Sequence, residues 1–189
     1  MKRRTIFLTA VILLCPSLLF STAQLPDYLL YNGETLPIFS NPLESYFNAD
    51  NIRPYHLFVR SCSACWRGYV ATWEIKDGQL FLQNLVEGSC SDKPKAIALS
   101  LLFPGQQGPI PASWFNGTIR IPRGKRLQYV HMGYGSVYEK EIILVFEKGK
   151  LVKEELLDNR NRKLPSGEEK SLDELQKLKE WEESQKRKN

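Results

Sequence analysis

The stretch that decides the fold is YVATWEIKDGQLFLQNLV, which occupies residues 69–86. Apolar side chains recur at every second position on each side of a central Asp77-Gly78 pair, and this period of two is typical of β-strands. An Asp-Gly pair between two such runs is a strong signal for a tight turn, because both residues tolerate positive φ angles. The stretch therefore predicts a β-hairpin. Since both faces of its strands carry apolar residues, we expect it near the middle of a sheet.

A second hairpin is predicted towards the N-terminus. Asn32-Gly33 separates two apolar runs within residues 27–39, which is the same kind of turn chemistry. Pro37 lacks an N–H group, so we expect the second arm of this hairpin to lie at the edge of the sheet.

Two further segments are less regular. Asn41 followed by Pro42 is typical of a helix N-terminus, because Asn caps helices and Pro fits their first turn. Residues 42–47 are therefore predicted to form a short helix with Asn41 as its N-cap. Residues 95–103 fit a strand or a helix, and the Pro-Gly pair that follows ends either one.

The C-terminal half of the domain is also predicted to be built from strands. We expect them at residues 118–122, 126–132, 137–147 and 151–156. With the two hairpins this makes about eight short strands separated by turn signals, a pattern typical of β-rich domains. Residues 24–157 are therefore predicted to form one mainly β domain, either a single β-sandwich or a partly closed barrel.

Residues 1–23 are predicted to be a cleavable signal peptide. Basic residues at positions 2–4 precede an apolar run at positions 6–20, and small residues end the segment at Ala23. The apolar run is shorter than the roughly 20 residues that span a bilayer. We therefore expect export, a mature chain that starts at about Gln24 and no membrane span after cleavage. An uncleaved anchor helix is the alternative.

The segments beyond the β domain have a different composition. Residues 158–170 are charged and contain proline and glycine, which is typical of a linker. In residues 171–189, Ser171 and Glu174 form a capping box, and leucines follow at helical spacing. We expect a charged C-terminal α-helix there, which either lies in solvent or docks on the domain.

The charge of the chain argues against nucleic-acid binding. Three of the 26 basic residues and none of the 21 acidic ones lie in residues 1–23, so the mature chain carries a net charge of only +2. Nucleic-acid binding needs a basic patch rather than a basic average. We therefore expect no nucleic-acid partner.

Three cysteines remain in the mature chain. Because export leads to an oxidising compartment, we expect a disulfide between Cys90 and either Cys62 or Cys65, with one thiol left over. Redox catalysis at the CxxC pair would need a helix after it, whereas a strand is predicted there. A zinc site that also uses His56 or His131 lacks the usual paired second half. No metal and no cofactor are expected.

The most distinctive stretch is HMGYGSVYE at residues 131–139. Its glycines leave backbone N–H groups open to a ligand, and its aromatic and polar side chains suit the rim of a site. Arg123, Lys125 and Arg126 lie just before it and favour an anionic partner or an acidic protein surface. The predicted binding residues are His131, Gly133, Tyr134, Gly135, Ser136, Tyr138 and Glu139. The alternative is a glycine-bearing bulge between two strands, with the tyrosines packed.

Motifs of nucleophilic catalysis are missing from the sequence. It has no GxSxG pattern and only two histidines. We therefore expect a non-enzymatic binding or interaction module whose partner is another protein or a small ligand. An exported hydrolase that uses His131 and Ser136 is an alternative.

Two segments together carry a resemblance to known proteins. They are WRGYVATWEI at residues 66–75 and YVHMGYGSVYEKE at residues 129–141. They resemble a group of small bacterial proteins, some of them exported, that have no assigned function. The resemblance covers roughly residues 27–152 and transfers no site residue. It implies a bacterial origin and a periplasmic or secreted location. For such a protein, an immunity-type role in masking a toxin is a further alternative.

Overall fold

The computed structural model describes residues 24–130 and 133–162. Its strands are β1 (Asp27–Tyr31), β2 (Glu34–Ile38), β3 (Tyr69–Lys76), β4 (Gln79–Glu87), β5 (Ala96–Ile97), β6 (Ile110–Pro111), β7 (Gly117–Gln128), β8 (Val137–Glu147) and β9 (Lys150–Asp158). Two 3₁₀ turns span Pro42–Tyr46 and Leu99–Leu101. Strands hold 46% of the described residues and helical turns 6%, so the mainly β prediction is confirmed. The predicted signal peptide, the C-terminal helix and the linker beyond residue 162 lie outside the described residues.

The strands form one mixed sheet that is not closed. Its order is β2-β1-β3-β4-β9-β8-β7, and the short strands β5 and β6 also pair with β4. Strands β1 and β3 run parallel, whereas the other pairs are antiparallel. Strand β2 therefore lies at one edge of the sheet and β7 at the other.

Both predicted hairpins are confirmed. Strands β3 and β4 pair around Asp77 and Gly78, which take φ angles of 50° and 73°. This hairpin lies in the interior of the sheet, as expected from its apolar faces. Strands β1 and β2 pair around Asn32 and Gly33, and the arm that contains Pro37 is an edge strand.

Other predicted boundaries differ from the structure. The two strands expected at residues 118–122 and 126–132 are one strand, β7, whose pairing with β8 is shifted between Arg123 and Arg126. The shift falls at Gly124, which takes a φ of +76° and lets the chain bulge and then rejoin the ladder. Residues 95–103 contain both a short strand and a 3₁₀ turn.

The hydrophobic core lies on one side of the sheet. Trp73, Tyr69 and Phe146 are among its largest buried side chains, and leucines and isoleucines from neighbouring strands fill the space between them. Each fully buried apolar side chain of this size contributes roughly 1.5–3 kcal/mol to folding. In β3 and β4, the alternation of side chains along each strand directs every second residue into this core.

The two edge strands of the sheet approach each other without forming a ladder. The Phe39 N–H donates a hydrogen bond to the Arg120 carbonyl at 2.7 Å, and Arg123 forms an ion pair with Glu34 at 2.9 Å. We call this contact between residues 34–40 and 118–123 the seam. Proline residues from both strands lie along it, and because proline has no N–H group it cannot extend the pairing.

A disulfide joins Cys62 to Cys90, whose Cα atoms are 5.6 Å apart. This is one of the two expected pairings. Cys65 is a buried free thiol that donates to the Tyr69 carbonyl at 3.0 Å. Strand β3 rather than a helix follows the CxxC pair, as the sequence predicted. In the described part of the chain, no helix is long and apolar enough to cross a membrane.

Candidate functional site: a pocket at the seam

The described parts of the connection between β7 and β8 are residues 129–130 and 133–136, and they lie against the seam. We call these residues the crossing segment. The Arg120 guanidinium fixes it, because it donates to the carbonyls of Tyr134 and Ser136, each at 3.4 Å. The same guanidinium holds both oxygens of the buried Glu141 carboxylate, at 3.1 and 3.0 Å. One ion pair on the outer face of β7 and β8 therefore sets the position of the segment.

Tyr134 fastens the crossing segment to the other side of the seam. Its ring stacks on Phe39 with centroids 5.2 Å apart, and its hydroxyl oxygen accepts a hydrogen bond from Arg67 at 3.0 Å. The hydroxyl has two acceptors within hydrogen-bond distance for its one proton, Asn41 Oδ1 at 3.0 Å and the Leu25 carbonyl at 3.1 Å. Burial raises the pKa of Tyr134 to about 12, so the hydroxyl stays protonated.

The role predicted for Asn41 was wrong. Its side chain makes no capping hydrogen bond to the 3₁₀ turn that starts at Pro42. The Asn41 amide oxygen accepts from Tyr134 instead, because the tyrosine hydroxyl reaches it across the seam.

A fully buried ion pair lies beneath Tyr134. Arg67 donates to Asp27 Oδ1 at 3.0 Å, and neither side chain is exposed to solvent. The Asp27 carboxylate also accepts from the Ala71 N–H at 3.1 Å and from the Trp73 indole at 3.3 Å. Burial raises the pKa of Asp27 to about 6, although Arg67 acts in the opposite direction. Burial would lower the pKa of Arg67, but the charge of Asp27 keeps it above its ordinary value.

A pocket of about 370 Å³ opens between the crossing segment and the seam. We call it the seam pocket. Most of its lining is aromatic, proline or aliphatic, and the lining residues are Gln24, Pro26, Pro37, Phe39, Pro122, Arg126, Tyr129, Val130, Gly133, Tyr134, Ser136 and Tyr138. The Arg126 guanidinium lies 4.6 Å from the centre of the Tyr129 ring. No carboxylate is among these described lining residues, so the pocket favours an anionic over a cationic ligand.

The structure brings part of the predicted site together. Gly133, Tyr134, Ser136 and Tyr138 all line the seam pocket, whereas Gly135 is exposed but does not line it.

The remaining predicted site residues have other positions. Glu139 accepts from the Lys125 N–H at 3.0 Å and so supports the bulge of β7. The Ser136 hydroxyl accepts from the Val130 N–H at 3.1 Å and is mostly buried. His131 lies outside the described residues.

Sequence reasoning missed the residues that hold the pocket in place. Arg67 and Asp27 are 40 positions apart and Tyr134 is 67 positions from Arg67, so no local pattern relates them. Phe39 follows an edge strand and reads as an ordinary apolar residue. The one sequence feature that pointed towards this region was Pro37, which was expected at a sheet edge and lines the pocket.

Comparison of the chain with protein-family models, curated proteins and solved structures gave no match. Among the described residues, no group of three or more His, Cys, Asp or Glu side chains is placed to hold a metal ion. What the chain does is therefore inferred from the pocket and its surroundings.

Proposed function

We propose that this chain is an exported bacterial binding module that holds an acidic, extended segment of a partner protein in the seam pocket. The observation that supports this most strongly is the pocket itself. Its walls are mostly aromatic rings and prolines, Arg126 lies among them, and partly buried hydrogen bonds hold Tyr134 in place.

The fixed walls favour binding because little order has to be gained when a partner arrives. Tyr134 is hydrogen-bonded to groups from three other parts of the chain, and Tyr138 packs edge-on against Phe39 with centroids 5.6 Å apart. Preorganised side chains spare the entropy that association otherwise costs. Grooves lined by aromatic rings suit extended peptide segments.

The charge around the pocket specifies the partner further. Arg126 lines the pocket and Lys125 is exposed beside it. Positive side chains at a rim steer acidic partners and raise their association rate. An immunity-type role would be a special case in which the acidic segment belongs to a toxin.

The surroundings of Ser136 favour binding over catalysis. Its hydroxyl oxygen is occupied by the Val130 N–H, and no carboxylate is among the described residues that line the pocket. A general base must lie within hydrogen-bond reach of the group that it activates. A hydrolase based on Ser136 and His131 stays an alternative prediction.

Export and the finer architecture belong to the same proposal. The Cys62–Cys90 disulfide is compatible with an oxidising compartment, and the predicted signal peptide would deliver the chain to the periplasm or the medium. We regard the sheet as a partly closed barrel rather than a sandwich, because its two edges meet at the seam.

An array of short peptides tests the proposal directly. The mature chain beginning at Gln24 should retain acidic peptides, and Arg126→Glu should abolish that retention because it reverses the charge within the pocket. The control is Lys76→Glu, which reverses an exposed charge that does not line the pocket. Retention that survives Arg126→Glu, or no preference for acidic peptides, would contradict the proposal.

A further inference from the structure

The first residue that the structure describes, Gln24, lines the seam pocket. It is also the residue at which the mature chain is predicted to begin. Cleavage after Ala23 turns the backbone nitrogen of Gln24 from a neutral amide into an α-ammonium group, which carries a positive charge at neutral pH. An N–Cα bond is only about 1.46 Å long, so the new charge arises within the pocket-lining residue itself.

Hydrogen bonds from a neighbouring loop hold Gln24 in place. Its side-chain nitrogen donates to the Ser63 carbonyl at 3.3 Å, and its side-chain oxygen accepts from the Trp66 N–H at 3.2 Å. The next residue is held on the same loop, because the Leu25 N–H donates to the Ala64 carbonyl at 2.7 Å. These contacts leave the backbone of Gln24 little freedom.

The loop that holds Gln24 is itself fixed. The Cys62–Cys90 disulfide closes it, and within it the Cys65 N–H donates to the Cys62 carbonyl at 3.0 Å. The anchor of Gln24 is therefore a preorganised part of the fold.

The segment after Gln24 supports the pocket wall directly. The Leu25 carbonyl accepts from Arg67 at 2.9 Å and from the Tyr134 hydroxyl at 3.1 Å. The first residues of most domains fray unless they are tied down. In this chain they are tied to the same groups that position Tyr134, so the predicted start of the mature chain is part of the wall.

The acidic side chains near this wall are engaged elsewhere. Asp27, the nearest carboxylate along the chain, is buried against Arg67, and Glu34 pairs with Arg123. Among the described residues that line the pocket, Arg126 is the one charged side chain. An α-ammonium group at Gln24 would therefore act on a ligand together with Arg126, as two positive charges in one pocket.

We propose that cleavage of the signal peptide completes the seam pocket, and that the α-ammonium group of Gln24 and the guanidinium of Arg126 together bind the carboxylates of one acidic segment. This inference rests on the proposed function and on the predicted cleavage after Ala23. The precursor has an amide at the same position and therefore one positive charge fewer in the pocket. A partner is bound tightly only by the exported and processed chain.

Three mature chains that differ only at the N-terminus test this role of the charge. One begins at Gln24, one carries an acetyl group on the nitrogen of Gln24, and one carries a glycyl residue there. Acetyl and glycyl groups are similar in size, but only the glycyl group bears an ammonium. All three can be made by ligating synthetic residues 24–61 to a chain that begins at Cys62, because an N-terminal cysteine supports that reaction.

The probe is a labelled peptide of alternating glutamate and proline, which is acidic and extended. The acetylated chain should bind it about fivefold more weakly than the chain that begins at Gln24, because a charge close to a carboxylate is worth that factor even beside water. The glycyl chain should bind it more tightly than the acetylated chain, since it keeps a charge about 3.8 Å further along. These differences should shrink in high salt.

Three controls separate the charge from other effects. A peptide of alternating glutamine and proline should not distinguish the three chains, and all three should unfold at the same temperature. The intact mass should show that Gln24 has not cyclised, because closure of its nitrogen onto its own side-chain amide releases ammonia and removes the charge.

Equal affinity of the acetylated and glycyl chains for the acidic peptide would overturn the inference. A chain exported by a bacterial host that retains residues 1–23 would overturn it as well. The proposed function is tested separately, since it requires Arg126→Glu to abolish binding by the chain that begins at Gln24. If Arg126→Glu does so while the acetylated and glycyl chains bind equally, the inference fails and the proposed function stands.

Discussion

Tyr134 is the residue that ties the crossing segment to the rest of the molecule. Removing its hydroxyl in Tyr134→Phe would leave Arg67 and Asn41 each without one hydrogen bond. Because buried polar groups without partners are costly, we expect the free energy of unfolding to fall by about 1–3 kcal/mol. Chemical denaturation measures this change.

Tyr138 offers a matched control for that experiment. It lines the same pocket and its ring also packs against Phe39, but its hydroxyl makes no hydrogen bond to another described residue. Tyr138→Phe should therefore change the free energy of unfolding by less than about 0.5 kcal/mol. Equal effects of the two substitutions would show that Tyr134 is not a structural link.

Asp27 should make the stability of the fold depend on pH. Burial raises its pKa from 3.8 to about 6, so between these values the folded chain binds more protons than the unfolded one. The contribution of Asp27 is then fully present below pH 3.8 and is lost as the pH rises through about 6. The loss amounts to about 3 kcal/mol.

Denaturation of the wild type and of Asp27→Asn at several pH values measures this effect. The wild type should lose its advantage over the variant as the pH rises from 4 to 7 or so, because asparagine does not titrate. An advantage that grows with pH would mean that the Arg67 ion pair, rather than burial, dominates the pKa of Asp27.

The position of Tyr134 could be interpreted from the sequence, but its hydrogen-bond partners could not. A tyrosine between glycines reads as a rim residue, because its polar tip is costly to bury without partners. In Tyr134 the partners come from Leu25, Asn41 and Arg67, which lie 67 to 109 positions away. Tyr134 lines the pocket, but the contacts that support it come from residues too distant in the sequence to be predicted.

At the scale of elements, the disulfide closes a loop of 28 positions that contains the hairpin of β3 and β4. Replacing both Cys62 and Cys90 by serine should lower the free energy of unfolding by about 3 kcal/mol, since the unfolded chain regains the freedom of that loop. Thermal or chemical denaturation tests this.

Thiol counting provides an independent check on the same bond. The unfolded mature chain should show one reactive thiol, that of Cys65. Three reactive thiols, or a double serine variant as stable as the wild type, would contradict the pairing of Cys62 with Cys90.

Elements with strong local signals were predictable, and those shaped by distant contacts were not. The hairpin of β3 and β4 follows from alternation and an Asp-Gly turn, which are properties of neighbouring residues. Strand β7 was predicted as two separate strands, at residues 118–122 and 126–132. In the structure the Glu139 carboxylate, from the adjacent strand, supports the bulge and carries the strand onward.

At the scale of the molecule, the seam connects the fold to the proposed function. The edges β2 and β7 meet at Phe39 and Arg120, and the prolines along the seam keep them from pairing further. The space left between the two edge strands is lined on one side by the crossing segment and forms the seam pocket. Sequence alone predicted a sandwich or a partly closed barrel, because strand patterns do not say which edges meet.

A partner held in the seam pocket should perturb the residues around it and no others. An acidic peptide retained by the array, titrated into the isotopically labelled mature chain, should give its largest amide chemical-shift changes at Phe39, Arg126 and Gly133. The amides of Tyr55 and Trp66, which do not line the seam pocket, should stay unchanged. Largest changes at Tyr55 and Trp66, or small changes spread over the whole chain, would contradict binding at the seam pocket.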